Sequence, residues 1–404
     1  MRRKPCLHCS CPKRDSALVD KVVIGSTNKG DCAVSITRCE RQQINIVSEN
    51  DHLFGVGLQS VVRESLATLE ADQLCVDLED HGAVDYVVKA RLEAAVRAVM
   101  PQIEPMPVKP QKRRTLRDRL RRTRLYAPGN NPRLLMGVEL HGSDCVLIDL
   151  EDSVPEAEKT VARILAKHLL AEVRFSEVFV RINNLEACGR QDLAEVMLAS
   201  PHGICLPKTE SSSDVAKLER EIALLEGDLG IEPGSTLIMP IVETGKGVLN
   251  APEIACASRR VAMMAFGAED YTRDVGARRT QESLLYPRSR IVAACAACGI
   301  QSSDTVYANV EDNDGLINET RHIRDLGFSG KGAINPRQIR VIHEVFRPTD
   351  EEVARARQVV AAATEAEAKG IGAVSLDGHM VDKPVLERAK QVIDLSLRIE
   401  DKWR

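Results

Sequence analysis

The chain has 404 residues, 44% of them hydrophobic, and a formal net charge of −4. That length accommodates a barrel of about 250 residues and a smaller domain. The charge is too balanced to argue for nucleic acid or a membrane surface as partner. No apolar run reaches the length that spans a bilayer, and the basic residues at the start precede no apolar signal segment, so the sequence reads as cytoplasmic.

Residues 1–20 read as a disordered leader. Cys6, Cys9 and Cys11 form a C-x-x-C-x-C run there, to which His8 or Cys32 could add a ligand. No second pair has the spacing that a four-ligand zinc site needs. Most of the other cysteines, including Cys145, Cys205, Cys256 and Cys295, fall inside apolar runs, the pattern of small buried hydrophobes in a reducing compartment.

Residues 21–100 read as a small α+β domain. Period-two apolarity predicts strands over 33–36 and 44–47. Leu58, Val61, Val62, Leu66 and Leu69 recur at helical spacing, 74–78 returns to strand, and 86–99 predicts a second helix. Nothing in this domain suggests chemistry on its own. Pro101, Pro105, Pro107 and Pro110, followed by Lys112-Arg113-Arg114, mark 101–118 as a linker.

From residue 119 a strand-then-helix unit repeats. The segments 125–127, 145–150, 178–182, 203–207, 237–242, 261–266, 302–307 and 332–334 are placed as eight parallel strands separated by helix-length segments. The fold class is therefore α/β, a (β/α)8 TIM barrel over 119–345. Residues 346–404 hold an alanine-rich helix, a turn-rich segment over 370–382 and a closing helix from Pro384. This excursion beyond a finished barrel reads as a lid.

In such a barrel, polar residues just past the strands converge on one mouth. Glu243 closes the run 237–242, and Asp270 follows the run 261–266. One buried acid could be a core group with a partner. Two at successive strand ends suit Mg²⁺, held with water and a chelating substrate. The same rule brings Glu151, Asp152, Arg181, Lys208, Asn335 and Pro336 to the mouth, with Arg122 leading into the first strand. Cations and carboxylates together suit an anionic, oxygen-rich substrate. Glu151 and Asp152 read either as salt bridges across the mouth or as partners of metal-bound water. Lys208 reads as an ion-pair member or as a phosphate or substrate binder. No P-loop, no G-x-G-x-x-G after a strand and no serine–histidine–acid order stands out, and the nine histidines are too scattered for a transition-metal site.

At these residues the chain, from about 122 to 399, resembles the citrate lyase β-subunit family of acyl-CoA carbon–carbon lyases, which includes citramalyl-CoA and malyl-CoA lyases. The matching motifs are Leu125-Tyr126-Ala127-Pro128-Gly129, Asp149-Leu150-Glu151-Asp152-Ser153-Val154, Val180-Arg181-Ile182-Asn183, Leu206-Pro207-Lys208-Thr209, Glu243-Thr244, Gly267-Ala268-Glu269-Asp270-Tyr271, Gly330-Lys331-Gly332-Ala333-Ile334-Asn335-Pro336 and Met380-Val381-Asp382. The first domain resembles the citrate lyase γ-subunit, an acyl carrier, through Gly25-Ser26-Thr27-Asn28-Lys29-Gly30-Asp31 and Glu79-Asp80-His81-Gly82-Ala83-Val84-Asp85. That family carries a phosphoribosyl-dephospho-CoA arm on a serine where this chain has Lys29. An amine cannot form that phosphodiester, so the arm is expected to be absent.

The resemblance implies retro-Claisen cleavage of a 3-hydroxyacyl thioester, of citryl-CoA, citryl-carrier, citramalyl-CoA or malyl-CoA type, to a keto acid and an acetyl thioester. It implies Glu243 and Asp270 as Mg²⁺ ligands and Arg122 as stabiliser of the enolate oxygen. Arg181 would neutralise a substrate carboxylate or support the metal site. Asp382 on the lid would protonate the enolate carbon, and Asn335 and Pro336 would border the thioester arm. A homotrimer is implied, and an α-type transferase partner is conceivable. A metal-assisted thioesterase and a silent scaffold subunit are the rival readings.

Overall fold

The computed structural model describes residues 21–110, 115–368 and 374–401. The leader with its cysteines, the basic run 112–114 and residues 370–373 of the turn-rich segment lie outside the described residues. The chain divides into two compact units, Met1–Val108 and Lys109–Arg404.

In the first unit β1 (Lys21–Gly25), β2 (Cys32–Arg38), β3 (Gln43–Ser48) and β4 (Leu74–Asp80) form a sheet of order β1-β2-β4-β3. The helices α1 (Asp51–Thr68) and α2 (Asp85–Val99) bury Val62, Leu66, Leu92 and Val96 against Val34, Ile36 and Leu78 of the strands. The edge strand β1 was not expected, because Val22-Val23-Ile24 is a continuous apolar triplet without alternation. Met106 joins this core, and its N–H donates to Glu93 Oε1 at 2.9 Å. The β1–β2 turn is firmly built. Asp31 pairs with buried Arg91 at 2.9 Å, Ser26 Oγ donates to Asp31 Oδ2 at 2.9 Å, and Gly30 sits at φ +87°. Lys29 is exposed on that turn.

The second unit is the expected barrel. Its strands are β5 (Thr123–Pro128), β6 (Cys145–Asp149), β7 (Glu177–Arg181), β8 (Gly203–Leu206), β9 (Leu237–Val242), β10 (Met263–Phe266), β11 (Gln301–Asp304) and β12 (Gly330–Ala333). They run parallel in sequence order, and β12 closes onto β5 through Gly332↔Arg124 and Ala333↔Leu125. Leu147, Phe179, Cys205, Met239 and Ala265 fill the interior. Helix boundaries follow local chemistry. The helix Ser212–Leu229 starts with a capping box between Ser211 and Asp214 and ends at left-handed Gly230.

Beyond the barrel, the helix Asp350–Ala368, the hairpin β13 (Val374–Leu376) and β14 (His379–Val381), and the helix Lys383–Asp401 share a small core of Ala356, Val359, Val381 and Ala389. No helix among the described residues is long and apolar enough to cross a membrane. The cysteine expectation needs one correction. Cys145, Cys205 and Cys295 are buried thiols, but Cys256 is exposed and disulfide-bonded to Cys298, with Cα atoms 5.5 Å apart. The end of the helix Ala251–Ala255 meets the end of the helix Gln281–Cys298 there.

Candidate active site

The carboxyl ends of the barrel strands open on a cavity of about 560 Å³ lined by Tyr126, Asp149, Asp152, Arg181, Glu243 and Asp270, with Ile334 and Pro336 on its rim. A second, more polar cavity of about 360 Å³ shares Glu243 and Asp270 and adds Lys208. The two acids therefore stand on the wall between the cavities.

Glu243 follows β9 directly and is 3% exposed. The Lys208 N–H donates to its Oε1 at 2.7 Å, and Lys208 adopts φ +48°. A Cβ on Gly267 would fall 2.4 Å from Glu243 Oε2, so only glycine leaves this carboxylate its berth. Burial pushes the Glu243 carboxyl up to about 7; the Lys208 N–H opposes that rise and the Asp270 charge adds to it. Asp270 lies in the first turn of the helix Ala268–Asp274, half-open to solvent, with Arg273 Nη2 at 2.5 Å.

Arg181, at the end of β7, donates through Nε and Nη2 to Asp149 at 2.7 and 2.8 Å, and its Nη1 lies 3.1 Å from Glu151. Burial opposes the Arg181 charge, but Asp149 outweighs it and raises the guanidinium. Burial likewise pushes Asp149 up, and the Arg181 bond and charge outweigh it, holding the carboxyl below its ordinary range. Lys208 Nζ binds Glu151 and lies 3.3 Å from Asp152. Glu151 and Asp152 thus form salt bridges across the mouth, one of the two roles open to them from sequence, and Lys208 is an ion-pair member.

Three expected residues stand elsewhere. Arg122 does not reach the mouth. It precedes β5, so it lies at the opposite, amino-terminal end of the barrel, 2% exposed, with N and Nε donating to Asp144 Oδ2 at 2.8 Å. Its expected role at the enolate is withdrawn. Arg122→Met should cost about 3–5 kcal/mol in urea unfolding by breaking the buried Arg122–Asp144 pair, while the folded protein keeps its metal affinity. Asp382 is not brought to the cavity of its own chain; its carboxylate accepts the Val385 N–H at 3.1 Å and starts the last helix. Asn335 shapes the turn beside Pro336, accepting from the Arg337 N–H at 3.0 Å. The structure adds Tyr126 and Asp149 to the mouth, neither singled out from sequence. Both ended or interrupted apolar runs and read as core.

The donor set fits magnesium. Among the described residues no group of three or more His, Cys, Asp and Glu side chains gathers as a ligand cage. Mg²⁺ takes one or two carboxylates and keeps waters or substrate oxygens for the rest. Two hard oxygen donors facing open volume, with a berth cleared at Gly267, meet that need.

Residues 122–336, which take in all eight barrel strands, match the family model described as HpcH/HpaI aldolase/citrate lyase. Residues 19–99 match the acyl-carrier model described as Malonate decarboxylase delta subunit (MdcD). The chain is 41% identical to the citrate lyase subunit beta of Haemophilus influenzae, over 68% of this chain and 97% of that one. It is 32% identical to the mitochondrial citramalyl-CoA lyase of Rattus norvegicus, over 70% of this chain and 88% of that one. The protein CitE of Mycobacterium tuberculosis, solved in complex with magnesium, acetoacetate and coenzyme A, is 29% identical and covers 70% of this chain and 99% of its own, with a TM-score of 0.59. Barrel, mouth and relatives agree: the chain belongs to the HpcH/HpaI aldolase/citrate lyase family and is a carbon–carbon lyase preceded by an acyl-carrier-like unit.

Proposed function

We propose that the chain cleaves a 3-hydroxyacyl-CoA thioester to a keto acid and acetyl-CoA, with Mg²⁺ held by Glu243 and Asp270. The observation that carries this reading is the pair of carboxylates at the ends of adjacent strands, both facing the same cavity. The relatives named for citrate lyase and citramalyl-CoA lyase, and the solved relative with magnesium and coenzyme A bound, support it. Magnesium bound there supplies Lewis acidity at the substrate's hydroxyl and carboxylate oxygens. Arg181, fixed by Asp149, sets a positive charge beside them. The apolar walls around Ile241 and Phe266 keep water from the reacting carbon. Lys208 organises Glu243 through its backbone N–H rather than by meeting a phosphate. Pro336 borders the path of the thioester arm, on the turn that Asn335 shapes. Asp382 would serve as carbon acid only if carried to a mouth by a neighbouring subunit of a homotrimer. We further propose that the enzyme is cytoplasmic and that the N-terminal unit carries no arm, because Lys29 stands at the attachment position.

The test is a panel of citryl-CoA, citramalyl-CoA and malyl-CoA assayed with Mg²⁺ for keto acid and acetyl-CoA. Equimolar release from at least one is expected, and the preparation's intact mass should equal that of the polypeptide. Coenzyme A released without keto acid would move the reading to a thioesterase. Silence towards all three would leave a scaffold subunit.

A further inference from the structure

The connection from β9 to β10 begins directly after Glu243. Thr244 caps the helix Gly245–Leu249, and the helix Ala251–Ala255 then leads to Cys256. Each of these helices has five residues, too few to hold together without tertiary support. Neighbouring elements supply that support. Asn250 Nδ2 donates to the Glu210 carbonyl at 2.9 Å. Arg290 Nε donates to the Val248 carbonyl at 2.9 Å, and its Nη2 donates to the Leu249 carbonyl. At the far end of the connection, Cys256 is bonded to Cys298. Arg290 and Cys298 both belong to the helix Gln281–Cys298, which lies in the unit that follows β10 and carries Asp270. The disulfide therefore ties the strand-and-helix unit that holds Glu243 to the one that holds Asp270.

Cys256 is exposed and Cys298 half-buried, so a small thiol reaches the bond in the folded chain. In a chain read as cytoplasmic, an exposed disulfide is of the redox-sensing rather than the permanent kind. The nearest thiol on the same helix does not compete. Cys295 is 1% exposed, and burial pushes it up to about 12 against the opposing Met264 backbone contact, so it stays protonated and out of exchange. We propose that Cys256–Cys298 is a redox-sensitive latch, opened by reduced glutathione and closed by oxidised glutathione in the folded protein, which sets how firmly the connection behind Glu243 is held. Opening is a two-electron exchange. A glutathione thiolate attacks the exposed Cys256 Sγ, the sulfur–sulfur bond breaks, and Cys298 leaves as a thiolate that takes up a proton. A second glutathione attacks the mixed disulfide, freeing the Cys256 thiol and yielding oxidised glutathione. The barrel stays closed throughout, because neither cysteine belongs to its strands. The latch goes beyond the lyase reading and does not depend on it.

Full-length protein is equilibrated, without denaturant, at a series of reduced-to-oxidised glutathione ratios approached from both directions. It is then alkylated with N-ethylmaleimide, digested and mapped. Cys256 and Cys298 should gain label together as reduced glutathione comes to predominate, within minutes to hours, while Cys295 stays unlabelled. Opening should lower Tm by about 3–7 °C, the effect of releasing a loop closed over 42 residues in a unit of this size. Tryptic cleavage after Lys246 and Arg259, both exposed on the connection, should quicken about tenfold. The double variant Cys256→Ser, Cys298→Ala should show the lower Tm and the faster cleavage at every ratio. Should that variant not fold, wild type at the two extreme ratios gives the same comparison. The proposal is overturned if the pair never closes in oxidised glutathione, if it resists reduction until the protein unfolds, or if it opens with Tm and cleavage unchanged.

Discussion

Asp270→Asn is expected to take keto acid release below detection and to weaken magnesium binding by more than about 100-fold, beyond what the loss of a residue behind a metal ligand costs. The substitution keeps volume and shape but deletes the charge of one of the two proposed magnesium ligands, both of which line the cavity. Mg²⁺ is held at so few protein oxygens that losing one leaves a single buried carboxylate, Glu243, whose own ionisation is opposed by burial. The fold should not suffer. Arg273, the ion-pair partner of Asp270, is 75% exposed on its side chain, and pairs of that kind contribute about 1 kcal/mol or less. Urea unfolding of the metal-free variant should therefore match wild type. Calorimetric titration with MgCl₂ decides the matter: wild-type affinity in Asp270→Asn would show that the ion is held elsewhere, and the carboxylate pair would lose its proposed role.

The barrel was legible because buried parallel strands are continuous apolar runs with turns between them. Glu243 was legible for the same reason, since it is the first charge after such a run. Arg122 was misplaced because its role came from resemblance. Strand polarity alone puts a residue that precedes β5 at the barrel's base, and Asp144 waits there at the start of β6. Asp149 was hidden because its meaning depends on register: it stands opposite Arg181 only once β6 and β7 pair. Tyr126 was hidden because an aromatic inside an apolar run reads as core. Its place at the cavity wall emerges only when Arg124 and Arg181 close on its ring from different strands. The Cys256–Cys298 bond joins positions 42 residues apart and follows from how two helices meet, which no local pattern encodes.

The metal-free enzyme should lose stability as pH rises from about 4.5 to about 7, and magnesium should cancel that loss. Glu243 holds its proton up to about 7 in the folded chain, against an ordinary value of 4.5. Between those values the folded state binds one more proton than the unfolded state, so unfolding releases a proton and the slope of stability with pH is negative. Across the window the effect is on the order of 3 kcal/mol for this 3%-exposed carboxyl. Glu319, held at about 2 chiefly by Lys331 against the burial that would raise it, acts with the opposite sign, but its stabilising effect is lost only as pH falls below about 4.5. The windows do not overlap. Metal binding needs the Glu243 carboxylate, so apparent magnesium affinity should weaken about tenfold per pH unit below 7 and level off above it. Calorimetry in buffers of different protonation enthalpy should detect close to one proton released per ion at pH 6. Glu243→Gln should flatten the stability profile between 4.5 and 7 while abolishing tight binding. If that variant keeps the wild-type slope, another buried group carries the proton and the raised Glu243 carboxyl is not the cause.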